Sequence, residues 1–128
     1  MTLPTMLFLM QFWSSVYGLN PKMVMAVAET ESKFNVNATG LAGEVGLFQL
    51  KPRYVKEYTR KELYDPSINI MVGVKRLADI KNRFGKSKNY GWLTAYNCGE
   101  ARAKKIKYPE LFPYVLAVNK RIAQLEGE

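Results

Sequence analysis

Two glutamates, Glu29 and Glu31, stand where an apolar stretch runs out in MAVAETESKFN, residues 25–35. Their importance follows from what the chain lacks. It has no histidine, which removes the usual general base, the usual metal ligand and every Ser–His or Cys–His nucleophile pair. Acid–base chemistry near neutral pH therefore falls to carboxyls, tyrosines or lysines with shifted pKa values. On a helix beginning at Pro21, a rotation of about 100° per residue puts Val24, Val27, Ala28 and Glu31 within about a third of a turn. Glu29 falls on the opposite side, beside Lys22. The expectation is a solvated Glu29 and a Glu31 turned toward the core or a cleft edge, although a plain surface glutamate fits the same pattern. Apolar neighbours disfavour an ionised carboxyl and raise its pKa into the range of a general acid.

The elements that must hold such a group are mostly helical. A first helix is expected from Pro4 to Gly18, whose glycine suits a left-handed cap. Asn20 as N-cap and Pro21 at the first helical position open a second, running to about Ser32. Periodicity is lost from Lys33 to Gln49. Gly40, Gly43 and Gly46 there predict a short β-hairpin or an irregular loop. Pro52 opens a short helix through about Tyr58. The best-marked helix is DPSINIMVGVKRLADIKNRFG, capped by Asp65, started by Pro66 and ended by Gly85, with Ile70, Val74, Leu77, Ile80 and Phe84 on one face. Gly73 lies in that stripe at a cost of about 1 kcal/mol relative to Ala, so a close-packed neighbour is expected there. NYGWLTAYNCG reads as a helix ending at Gly99, EARAKKI as a short one, and a last begins near Pro113 with Val115, Val118, Ile122 and Leu125 inward.

Length and composition narrow the class. The 128 residues suit one domain with one core, spanning 1–128. The single cysteine, Cys98, has no internal partner, so packing must supply stability. Nineteen Lys and Arg against eleven Asp and Glu give a formal charge of +8, which draws a protein to polyanions or simply solvates its surface. No nucleic-acid motif or aromatic–basic platform is present, so no nucleic-acid partner is expected. MTLPTMLFLMQFW has no basic n-region or cleavage site and is too short to span a bilayer, so it reads as a buried helix, neither signal nor membrane anchor. No metal or cofactor motif is found, and a monomer is expected.

ESKF with NVNA after it, then GEVGLFQLKP, resembles the signature of the soluble lytic transglycosylases of the lysozyme-like superfamily. That family reads Glu-Ser-x-Phe, then Ala-x-Ser-x-x-Gly-Ala-x-Gly-Leu-Met-Gln and a proline. Glu31, Ser32, Phe34, Ala38, Gly43, Gly46, Leu47, Gln49 and Pro52 stand at matching spacings. DPSINIMVGVKRL is similar to its Asn-Ile-x-x-Gly segment, TAYNCGEARAKK to its Ala-Tyr-Asn-Ala-Gly element, and PYVLAV to its terminal Tyr-Val motif. Four ordered elements cover about residues 15–120. Gly40 stands where the family has Ser, Phe48 where it has Met, and Glu44 and Cys98 where it has Ala.

The resemblance implies a mainly α, lysozyme-like (goose-type/transglycosylase) domain with a small β-hairpin or loop insertion. It also implies cleavage of the bond between N-acetylmuramic acid and N-acetylglucosamine in peptidoglycan glycan strands, without water as nucleophile. Glu31 would be the single catalytic acid and base. Tyr96 would orient it, Phe48 and Gln49 would line the saccharide groove, Asn97 would hold the helix end or touch sugar, Tyr114 would be a groove tyrosine near the acid or an aromatic packing inward, and Ser32 would bond to backbone and fix the turn. Glu44 reads as a solvated loop residue; as a second carboxylate it would make the protein a hydrolytic lysozyme. A weakly active peptidoglycan-binding module is the remaining alternative. Such a protein acts in the periplasm or cell wall. With no signal peptide seen, a phage lysis or virion protein, or an excised domain, is expected.

Overall fold

The computed structural model describes residues 1–127. Among the described residues there are seven α-helices: α1 (Leu3–Tyr17), α2 (Pro21–Ser32), α3 (Arg60–Leu63), α4 (Pro66–Phe84), α5 (Leu93–Cys98), α6 (Glu100–Ala103) and α7 (Pro113–Glu126). Single 3₁₀ turns lie at Pro52–Tyr54 and Pro109–Leu111. The chain divides into two compact units, Met1–Lys75 and the residues from Arg76 onward, the division falling within α4.

Helix boundaries in the first unit follow local chemistry. Gly18 takes the left-handed conformation, φ 68°, and closes α1. Asn20 accepts the Lys22 N–H at 3.0 Å through its side chain, and Pro21 opens α2. α1 packs on α2. α1 buries Met6, Met10 and Ser14, while Leu3, Phe8, Phe12 and Val16 are exposed. The expectation of a buried helix is corrected: α1 covers α2 with one face only. A second correction concerns Pro52. Its helix ends at Tyr54, because Val55 leaves the helical region at ψ 56°. The chain then re-forms a helix at α3 through a capping box, in which the Thr59 side chain accepts from the Glu62 N–H and Glu62 accepts from the Thr59 N–H. The α4 cap is as expected, with Asp65 accepting the Ser67 N–H at 2.8 Å.

Between α2 and the Pro52 turn there is no named strand among the described residues, only the bridges Thr39–Val45 and Val45–Leu50. This is the small insertion expected from the glycines. Its apolar residues Val45, Leu47, Phe48 and Leu50 are buried, as are Met23, Val24 and Val27 of α2, Leu63 of α3 and Ile70 of α4.

In the second unit α5 packs on α6 and α7, and the Pro109–Leu111 turn packs on α7. Leu93, Val115 and Val118 have no exposed surface. The buried Thr94 hydroxyl donates to the Pro109 carbonyl at 3.3 Å, and Asn119 reaches the Asn89 carbonyl at 2.8 Å.

Candidate functional site

α2 presents Met23, Val24, Ala26, Val27 and Ala28 to the interior. Glu31 falls within this buried arc, about 40° from Val27 and one turn further on, whereas Glu29 falls on the opposite side. Both carboxyl side chains are nonetheless half-buried at the helix end, so the expected contrast with a fully solvated Glu29 is not seen. Ser32 donates its hydroxyl to the Ala28 carbonyl at 3.0 Å. This is the bond to backbone expected of Ser32, made back along the last turn of α2. The chain then leaves the helix through Lys33 and Phe34, both left-handed at φ 52° and 61°, with the Lys33 N–H on the Glu29 carbonyl at 2.8 Å. Two such residues in succession turn the backbone sharply next to Glu31.

The loop that follows is held from inside by one side chain. Asn69 of α4, 1% exposed, accepts the Phe48 N–H at 2.8 Å and donates to the carbonyls of Val45 and Leu63 at 2.9 and 2.8 Å. Both its donors and one of its two acceptor directions are used, so neither end of the buried amide lacks a partner. One turn along, Gly73 receives the Phe48 ring: a Cβ there would stand 2.5–2.8 Å from its carbons. Gly46 leaves room for the Asn69 carboxamide in the same way. The Asn-Ile-x-x-Gly spacing thus has a mechanical meaning, one residue pinning the loop's backbone and the other accepting its aromatic ring.

This placement corrects the role expected of Phe48. With no exposed surface it is a core residue and offers no face to a sugar. Gln49, left-handed at φ 49°, is half-buried and donates its Nε2 to the Gly46 and Ala38 carbonyls at 2.8 and 3.2 Å. Its amide therefore braces the loop, and its Oε1 is the atom turned toward Gly40. Glu44 is not a solvated loop residue. It is half-buried, its Oε2 also faces Gly40, and its Oε1 is sealed from solvent without a hydrogen-bond partner. The loop thereby gathers Gly40, Glu44 and Gln49. Outside them, Thr39 and Tyr64 share a short hydroxyl–hydroxyl bond, which lowers the Tyr64 pKa against desolvation, with Arg60 assisting.

In the second unit Tyr96 and Asn97 occupy the last turn of α5, half-buried and exposed respectively, and Tyr114 is half-buried in the first turn of α7. Cys98 is a free thiol. Among the described residues no group of His, Cys, Asp or Glu could hold a metal ion, and no helix is long and apolar enough to cross a membrane. Sequence reading missed Asn69 as the loop's anchor and Arg60 as a clamp on the Gly43 carbonyl at 2.9 Å. The DPSIN segment carried the signal for Asn69: an amide inside an otherwise apolar stripe needs a reason to be buried.

The sequence pattern of the Transglycosylase SLT domain matches residues 8–110. A membrane-bound lytic murein transglycosylase C of Actinobacillus pleuropneumoniae is 30% identical over 107 residues, covering 70% of this chain and 29% of the relative. A transglycosylase of Enterobacteria phage PRD1 is 33% identical over 100 residues, covering 73% and 37%. The chain therefore spans about a third of the length of the curated relatives it matches. Among solved structures, the 70 kDa soluble lytic transglycosylase SLT70 of Escherichia coli superposes with a TM-score of 0.75 at 23% identity, over 94% of this chain and 24% of that one. Lytic transglycosylase Slt of Pseudomonas aeruginosa gives 0.75 at 20%, over 92% and 24%.

Proposed function

Because the chain belongs to the Transglycosylase SLT domain family, we propose that it is a peptidoglycan lytic transglycosylase with Glu31 as its acid and base. One observation carries the assignment of Glu31: it prolongs the buried arc of α2, directly before a loop that Asn69 and Gly73 hold in place. The carboxyl set there at the helix end is half-buried.

In the proposed reaction Glu31 gives its proton to the oxygen linking N-acetylmuramic acid to N-acetylglucosamine as the bond to C1 breaks. The substrate's own N-acetyl group stabilises the cationic centre. The muramoyl C6 oxygen then bonds to C1 while its proton passes to the Glu31 carboxylate. The products are a 1,6-anhydro sugar and a free hydroxyl on the leaving sugar, with no water consumed and Glu31 again protonated. One carboxyl serves both steps because they are sequential, in contrast to the paired carboxylates of most glycosidases.

In this reading Gln49 offers its Oε1 to a sugar N–H or O–H, and Tyr96, Asn97 and Tyr114 keep the roles that the family resemblance implies for them. Ser32 steadies the end of α2. The site of action is the cell wall or periplasm, and the phage PRD1 relative favours a lysis or virion role. Glu31→Gln keeps the shape and removes the acid; its wall-clearing activity should fall by at least about 10²-fold. Loss of less than tenfold refutes the assignment.

A second reading has an observation in its favour. Glu44 is half-buried beside Gly40 and Gln49, on the loop that follows Glu31, where a second carboxylate could activate water. Hydrolysis would then leave reducing ends, whereas transglycosylation leaves anhydro ends. Mass analysis of the muropeptides separates the two.

A further inference from the structure

A basic cavity of about 200 Å³ opens in the first unit, lined by Ala42, Gly43, Lys51, Pro52, Arg53 and Arg60. Three of these residues are cationic and none is acidic. Each cation is held in place. Arg60 donates from Nη1 to the Gly43 carbonyl at 2.9 Å and lies over the Tyr64 ring at 5.7 Å. Arg53 donates from Nη2 to the Tyr54 hydroxyl at 3.1 Å and lies 4.8 Å from that ring's centroid. Lys51 reaches the same ring, its Nζ 5.9 Å from the centroid. None of the three forms an ion pair with a carboxylate among the described residues.

Like charges gathered at one cavity repel, and an anion between them relieves the repulsion. Stacking on Tyr54 and Tyr64 limits how far the two guanidinium groups can turn, which lowers the entropy lost when a ligand is gripped. Arg53 spends one Nη2 hydrogen on the protein, leaving the edge that uses the other Nη2 hydrogen for a bidentate contact of the kind a carboxylate accepts. The volume is several times the roughly 30 Å³ occupied by a water molecule, enough for a carboxylate and the carbons that carry it.

We propose that this cavity binds a carboxylate of the peptide stem attached to the glycan, so that stem and sugar are recognised together. The inference rests on the peptidoglycan reading of the substrate. Its support is continuity. Ala42 and Gly43 lie between Gly40 and Gly46, and Lys51 follows Gln49 by two residues. The cavity is therefore built on the loop that offers Gln49 to the glycan. A peptide borne by a muramoyl unit on that loop carries its acids toward the cations.

The test reads binding, not turnover. A free acidic tripeptide of stem composition, its fully amidated counterpart and inorganic phosphate are each titrated into the protein, following the backbone amide resonances of Gly43, Lys51 and Arg53. The acidic peptide should move these resonances, and amidation should weaken binding at least about tenfold, the loss expected for one charge-assisted hydrogen bond. Combined Lys51→Gln and Arg53→Gln should weaken the acidic peptide to a similar degree with an unchanged far-ultraviolet spectrum. The proposal is overturned if the acidic peptide does not bind, or if the amidated form binds equally well. It is also overturned by shifts lying elsewhere, or by phosphate binding more tightly than the peptide, which would mark a phosphate polymer as the ligand. If the combined variant does not fold, the wild-type titrations decide alone. A protein that binds the acidic peptide but cleaves no glycan refutes the proposed function alone. One that cleaves glycan without binding the peptide refutes the cavity's role alone.

Discussion

The carboxylate of Glu44 occupies the space in which a side chain at position 40 would begin: a Cβ on Gly40 would stand 2.7 Å from Glu44 Oε2 and 2.7 Å from Gln49 Oε1. Two departures from the family pattern, Gly for Ser at 40 and Glu for Ala at 44, are therefore one structural event. The glycine makes room and the glutamate fills it. The backbone amide of Gly40 is in turn bonded to the Glu44 carbonyl at 2.9 Å, so the two positions face each other in both backbone and side chain.

This coupling makes a prediction about stability. Gly40→Ser alone should cost about 1 kcal/mol, a modest overpacking penalty because the atoms it meets are side-chain ends that can turn aside. In a Glu44→Ala background the same serine should cost less, because only Gln49 Oε1 then stands in its way, giving a coupling of at least about 0.5 kcal/mol in a double-mutant cycle. Urea unfolding of the four proteins measures it; strictly additive effects would show that the pair is independent.

Asn69 should be among the most sensitive positions of the first unit. Asn69→Ala breaks three hydrogen bonds and takes from the Phe48 N–H and the Leu63 carbonyl the partner that Asn69 supplies, at about 1–3 kcal/mol for each group so stranded, while the Val45 carbonyl keeps the Leu50 N–H at 3.0 Å. A loss of about 3 kcal/mol or more is expected in chemical unfolding. Asn69→Asp should do no better, since a carboxylate turned on the Val45 and Leu63 carbonyls replaces attraction by repulsion.

Gly73→Ala should destabilise although it sits in a helix, where Ala is favoured by about 1 kcal/mol. The added methyl meets the Phe48 ring, and overpacking of a rigid core costs about 1–3 kcal/mol. Shortening and loosening the ring by Phe48→Met should recover most of the loss. A melting temperature for each single variant and for the pair decides whether the ring is the obstacle.

Acid should weaken α3 before the rest of the first unit. The Thr59 backbone N–H, and then its hydroxyl, hold the Glu62 pKa below the ordinary carboxylate value. A depressed acid contributes stability that is present above its unfolded pKa, near 4.3, and is lost as pH falls through the lower folded value. The protection factors of the Glu62 and Leu63 amides, their exchange taken relative to an unstructured chain at the same pH, should therefore fall below about pH 4, and Glu62→Gln should flatten that dependence.

Much of this was legible along the chain because the relevant forces are local. Asn20 and Pro21, Asp65 and Pro66, and the left-handed Gly18 mark helix ends through bonds that span at most a few residues, and those ends stand where expected. Pro52 misled because one proline sets one φ. It does not supply the buried stripe that would carry a helix beyond Tyr54, and α3 rests on a capping box that has its own four residues.

The chain by itself determined that acid–base chemistry must use carboxyls, tyrosine or lysine, that the architecture is helical, and that Glu31 shares the buried side of α2. Each follows from composition or from the fixed rotation of a helix. Only the tertiary structure decided that Phe48 is core, that Gln49 spends its amide on the loop, that Asn69 holds the loop in place, and that Glu44 lies against Gly40. Those outcomes depend on contacts between residues up to twenty-five positions apart. Which side chain fills a given space is settled by excluded volume and by buried polar groups finding partners, and neither is written in local spacing.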